Sequence, residues 1–157
     1  MTIFIIHGAY GNPEENWFPW LKKELENLNI KVFVPSFPTP ENQTLENWLK
    51  VFEDYKEYVD ENTIFIAHSL GVPFVLRLLE TLELKNPVKA CFFVAGFSSF
   101  LGKHFDELNR SFIEKSFDWK KIRKNCKSFF FSILIMTLMF LLKKERSLRK
   151  TYMLKCL

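Results

Sequence analysis

Thr63-Ile64-Phe65-Ile66-Ala67-His68-Ser69-Leu70-Gly71 is the stretch that decides the fold of this 157-residue chain. Its β-branched and aromatic residues read as a short buried strand. Gly71-Val72-Pro73 then opens a segment whose apolar positions (Phe74, Val75, Leu78, Leu79, Leu82) have helical spacing. The serine therefore sits on a sharp strand-to-helix turn that lifts its hydroxyl above the sheet. Such a turn brings the strand and helix backbones close together, so the residues two places either side of the serine must be small. Gly71 meets that need, and Ala67 meets it with one extra methyl. The plainer alternative is a serine that N-caps a core helix.

Working outward, residues 3–6 form a continuous apolar run ending at His7-Gly8, the pattern of a central parallel strand. A polar loop (Gly11-Asn12-Pro13-Glu14-Glu15-Asn16) leads to a helix expected over residues 17–28, and residues 31–34 read as a second strand closed by Pro35. Leu45, Trp48, Leu49, Phe52 and Tyr55 share one helical face, which predicts a helix over residues 44–59. A fourth strand is expected over residues 88–94. Strands and helices alternate throughout, so the sheet should be parallel with helices on both faces. Residues 95–117 lack a clean period and follow a strand's carboxyl end, where open α/β sheets bind ligands; they are expected to wall or cover the site. Gly96 to Gly102-Lys103 falls short of a phosphate loop, because its spacing is one residue too long and His104 stands where a Ser or Thr should bind magnesium.

Composition narrows the function further. Hydrophobic residues make up 48% of the chain and charged residues 25%, ordinary values for a soluble globular domain. The net charge of +4 is concentrated in residues 143–157, which hold six Lys or Arg against one Glu, so the remaining body is close to neutral and offers no footprint for nucleic acid. Cys91, Cys126 and Cys156 are odd in number and widely spaced, which predicts neither a disulfide framework nor a zinc site and favours a reducing compartment. His7, His68 and His104 lack metal-ligand spacing, so no metal and no cofactor are expected. Met1 to Ile6 enters a strand with no charged region or cleavage site, and a cytoplasmic location is the expectation.

Several segments together resemble one family: Phe4-Ile5-Ile6-His7-Gly8, Trp17-Phe18-Pro19-Trp20-Leu21-Lys22-Lys23-Glu24-Leu25, the turn Ala67–Gly71, Phe93-Val94-Ala95-Gly96 and Phe117-Asp118-Trp119-Lys120-Lys121-Ile122. They are similar to the small serine hydrolases that include the retinoblastoma-binding serine hydrolase and its bacterial relatives, over about residues 2–130. The resemblance implies an α/β-hydrolase fold, with Ser69 as the nucleophile of a Ser-Asp-His triad acting on small esters or amides. It also implies oxyanion donors at the Leu70 N–H and at the N–H of Ala9 or Tyr10. His7 and His68 do not match the family's base and are expected to pack the loops. The Leu-x-Cys-x-Glu motif of retinoblastoma binding is absent, so that partner is not implied.

The match stops where the triad should be completed. Neither the Asp nor the His follows Cys126-Lys127-Ser128; an apolar stretch and a basic tail come instead. In the family, the corresponding stretch looks like a strand followed by Ser-Asp-Asn-Asp-Pro-Tyr-Val-Pro-Leu. Ile133–Leu142 can be encoded by ATT CTG ATA ATG ACC CTT ATG TTC CTC TTA, which read two bases later gives that same nonapeptide. Most of those codons are chosen among synonyms, but Met136-Thr137 forces the second Asp and Met139-Phe140 forces the Val. Phe129-Phe130-Phe131, in a chain with 18 Phe, implies a run of T in the gene, a common site of single-base slips. We therefore expect an incomplete hydrolase core over residues 1–131, lacking its C-terminal strand and helix, and a frameshifted tail over residues 132–157. On this reading the family is catalytic while this polypeptide is inactive, a ligand-binding pseudoenzyme at most. Two other readings take the tail at face value. One makes it a native core element. The other makes it a membrane-attached segment, although its apolar run of about 14 residues is short of the ~20 that span a bilayer. A substitute base, His104 with Asp106 or Asp118, would reverse the chain order expected of this fold.

Overall fold

Thr2–Ile6 forms β1, Lys31–Phe33 β2, Ile64–His68 β3, Ala90–Val94 β4 and Phe129–Ser132 β5 in a computed structural model that describes residues 1–102 and 106–132. All four strand pairings are parallel, in the order β2-β1-β3-β4-β5. The helices are α1 (Phe18–Glu26), α2 (Leu45–Glu53), α3 (Gly71–Thr81), α4 (Asp106–Ile113) and α5 (Trp119–Asn125). This is the parallel α/β sheet with helices on both faces that the sequence predicts.

Alternate side chains of each strand divide the core into two layers. Phe4, Ile6, Phe65, Ala67, Cys91 and Phe93 face α2 to α5, meeting Trp48, Phe52, Phe74, Leu78, Phe112 and Ile122. Ile3, Ile5, Val32, Ile66 and Val94 face α1 through Trp17, Phe18, Leu21 and Leu25. The second layer thins out beyond β3. The Phe92 and Phe130 rings stack there at 4.6 Å, yet Phe130 remains 39% exposed. On the same side the buried Trp17 Nε1 finds no hydrogen-bond acceptor among the described residues.

Three local expectations need correction. The α-helix predicted over residues 44–59 ends at Glu53, and a 3-10 turn follows at Lys56–Tyr58. Leaving the helical path lets Tyr55 and Tyr58 pack on Phe33 at 5.4 and 4.8 Å, closing the β2 edge. The fourth strand begins at Ala90, because Lys89 donates to the Thr63 carbonyl and Val88 pairs only with Cys126. Within the aperiodic region, Asp106–Ile113 is helical. Its buried face carries Asp106 and Asn109 beside Phe112 and Ile113, so no apolar stripe marks it in the sequence.

Candidate active site

The chain leaves β1 toward β2 on one side and later returns to β3 on the other, so β1 and β3 flank the point where strand order reverses. Ligands of open α/β sheets bind outside the carboxyl ends of strands at such a point. Ser69 follows β3 there, and the Gly8–Tyr10 loop follows β1.

The backbone of Ser69 has φ +52°, in the left-handed region that a serine seldom adopts. The corner is held on both sides, by the Ser69 N–H donating to the Val94 carbonyl at 3.0 Å and by the Val72 N–H donating to the Ser69 carbonyl at 3.0 Å. Two glycines make room for it. A Cβ on Gly71 would lie 2.7 Å from the Ile6 carbonyl oxygen and 2.8 Å from that of His7, so the start of α3 rests directly on the end of β1. A Cβ on Gly8 would lie 2.8 Å from the Ser69 Cβ and 3.3 Å from its Oγ. The need for Gly71 was legible in the sequence. That for Gly8 was not, because it arises from a neighbouring strand, and only its place directly after β1 hints at it.

Leu70, at the N-cap of α3, offers an N–H for which no acceptor is found among the described residues, and the same is true of Ala9. The Tyr10 N–H is occupied, donating to Thr39 Oγ1 at 2.7 Å. Of the two N–H groups in that loop, that of Ala9 is the one without an acceptor among the described residues. Thr39 in turn donates to Gln43 Oε1 at 2.5 Å, and the buried Gln43 donates to Asn109 Oδ1 at 2.9 Å. This polar chain ties the β1 loop to α4, and nothing in the sequence pattern announces it.

The two described histidines behave as packing residues. His7 is fully buried; its Nε2 accepts from the Phe37 N–H at 3.0 Å, which leaves Nδ1 to donate to the Gly8 carbonyl at 2.8 Å. With both ring nitrogens engaged it has no lone pair for Ser69, and burial lowers its pKa from 6.5. His68 lies with its ring centroid 6.3 Å from that of Trp17 and 6.1 Å from that of Phe18, and burial lowers its pKa as well. Among the described residues no imidazole or carboxylate is hydrogen-bonded to Ser69 Oγ. His104 lies outside the described residues, as does Lys103 of the near phosphate loop. The carboxylates suggested as its companions have other work: Asp106 accepts from the N–H groups of Leu101 and Gly102 at 3.0 and 2.7 Å, and Asp118 Oδ1 caps α5. No group of three or more His, Cys, Asp or Glu comes together among the described residues, and no helix there is long and apolar enough to cross a membrane.

A five-stranded parallel sheet with a strained serine at a β-to-α corner defines an α/β-hydrolase fold. The serine hydrolase family profile matches residues 3–122, and the chain belongs to that family. It is 37% identical over 127 residues to YdeN of Bacillus subtilis, named as a hydrolase, which covers 80% of this chain and 65% of that one. Serine hydrolase RBBP9 of Rattus norvegicus is 30% identical over 111 residues, 70% of this chain and 56% of that protein. The chain thus spans less than two thirds of either relative. The crystal structure of the B. subtilis ydeN gene product superimposes with a TM-score of 0.77 at 35% identity, covering 83% of this chain and 69% of that one.

Proposed function

We propose that Ser69 is the nucleophile of a hydrolase that cleaves small esters or amides by acyl transfer. The observation that carries this reading is the left-handed Ser69 backbone, held by Gly71 against β1. The Ser69 Oγ attacks the substrate carbonyl carbon while a histidine base takes its proton. Charge developing on the carbonyl oxygen is met by the N–H groups of Leu70 and Ala9. The acyl group rests on Ser69 until water releases it.

This polypeptide supports only part of that cycle. The family's Asp and His have no counterpart in the sequence after Ser128, and we attribute their loss to a frame change near Phe131, which makes residues 1–131 the hydrolase core and residues 132–157 an out-of-frame tail. The tail from residue 133 onward lies outside the described residues. Hydrolases that lose triad members keep only the ~10³–10⁴-fold contribution of the oxyanion donors and binding, so this chain acts as a ligand-binding pseudoenzyme of a catalytic family. Its ligand is a small ester or amide and its location cytoplasmic. Two measurements test the reading. Sequencing the gene across codons 125–145 should find one further T in the run that encodes Phe129-Phe130-Phe131, which restores the Asp-Pro segment. The restored protein should then react with a fluorophosphonate probe, and labelling that survives Ser69→Ala would refute the nucleophile.

A further inference from the structure

Two of the three cysteines, 35 positions apart in sequence, meet inside the fold. Cys91 in β4 is fully buried, Cys126 at the C-cap of α5 is 4% exposed, and their sulfur atoms lie 3.5 Å apart. Neither forms a disulfide here. The surrounding backbone fixes the approach: the Cys91 N–H donates to the Ser128 carbonyl at 2.9 Å, the Lys127 N–H donates to the Val88 carbonyl at 3.0 Å, and Val88 pairs with Cys126 itself. The Cys126 Sγ is also 3.2 Å from the Ser128 carbonyl oxygen. A disulfide requires a sulfur separation of about 2.05 Å, so closure asks for about 1.5 Å of sulfur movement across a junction that the ladder already holds.

We propose that Cys91 and Cys126 form a peroxide-oxidisable dithiol site, which closes to an intramolecular disulfide across the β4 to α5 junction. The chemistry assigns different parts to the two thiols. The contact with Cys91 lowers the pKa of the Cys126 thiol, whereas burial pushes Cys91 well above its ordinary value. Cys126 is therefore the thiolate former, and it is followed by the exposed Lys127 and Ser128. Its sulfur attacks one oxygen of hydrogen peroxide, the O–O bond breaks, and the departing hydroxide takes up a proton as water. The Cys91 sulfur then attacks the resulting sulfenic acid at Cys126. The S–O bond breaks as the S–S bond forms, and the hydroxyl leaves as a second water with the Cys91 proton. Two thiols lose two electrons in all, and one peroxide gains them. The closed loop contains α4 and α5, the helices between β4 and β5.

The full chain, exposed to hydrogen peroxide in native buffer, alkylated and mapped by mass spectrometry without reduction, reads the site directly. The expected product is a Cys91–Cys126 cross-link, lighter than the two thiol peptides by two hydrogens, with Cys156 recovered alkylated and the link reversed by dithiothreitol. The same oxidation in denaturant should scatter among the three possible pairings, because proximity is lost. Cys156→Ser leaves the site intact and should cross-link as before, and Cys126→Ser should leave Cys91 alkylated. The proposal fails if native oxidation gives sulfinic or sulfonic acids on separate cysteines, a link to Cys156, or the same scatter as the denatured chain.

Discussion

Gly71→Ala is the sharpest perturbation of the corner on which the functional reading depends. The added Cβ would meet the carbonyl oxygens of Ile6 and His7 at 2.7 and 2.8 Å, and the Ile6 Cγ2 at 3.0 Å. Ordinary contact needs roughly 0.6 Å more, and neither side yields easily. β1 is paired on both edges, and nine residues of α3 are buried. Overpacking of this kind costs about 1–3 kcal/mol, and contact with backbone atoms puts this case in the upper half. The ~1 kcal/mol by which Ala outdoes Gly applies to helix interiors and offsets little at the first turn. A net loss of about 2–3 kcal/mol lowers the melting temperature of a domain this size by about 5–10 °C, readable by far-UV circular dichroism. Gly102→Ala is the control: φ is +70° there but no atom of the described residues lies within 4 Å, so left-handed strain of ~1–2 kcal/mol is the cost expected. A Gly71→Ala protein that melts within ~2 °C of the parent, or above Gly102→Ala, would refute the argument that α3 is seated on β1 through this glycine.

Two further outcomes follow from the same packing. Burial is the main cause holding His7 below 6.5, so the unfolded chain binds a proton that the folded chain resists; the contribution of neutral His7 is complete above that value and is lost as the pH falls below it, until the folded imidazole also protonates. Urea midpoints measured from about pH 7.5 down to about 5.5 should fall less steeply for His7→Gln than for the parent, with His68 keeping part of the slope; an unchanged slope would place the acid sensitivity elsewhere. Phe130→Ser should weaken binding of a hydrophobic dye, since Phe130 is exposed beside the stacked Phe92 ring; full binding by the variant would mean that the dye reads another surface.

What the sequence made legible was whatever depends on local period or on one compulsory small residue. The runs at β1 and β3 are apolar because both faces of the sheet are covered there, the run at β4 because one face is covered and Val94 is buried on the other, and the corner at Ser69 declares itself through Gly71 within two residues. The features that escaped are contacts between segments distant in sequence. Gly8 is required because Ser69 comes to lie on it from two elements away. Helix α4 hides because Asp106 and Asn109 on its buried face serve loops instead of an apolar core. The cysteine spacing argued against pairing, yet β4 and the α5 terminus bring Cys91 and Cys126 to 3.5 Å, since sheet adjacency is blind to sequence distance.

The two faces of the sheet bear differently on the missing triad residues. Helices α2 to α5 cover one face and bury Phe65, Cys91 and Phe93 there. On the other, α1 is the helix among the described residues that packs on the sheet; Phe92 is half-buried and Phe130 exposed there, and the Trp17 N–H has no acceptor among the described residues. A buried donor without an acceptor costs about 1–3 kcal/mol, a large share of the ~5–15 kcal/mol that holds a domain together. His68, next to Ser69 in sequence, meets Trp17 edge to face on this same side. An element laid over Phe92 and Phe130 would bury both rings. On the proposed frame change, a restored segment following β5 would carry the family's Asp and His and would also be placed to cover Phe130 and close the β5 edge.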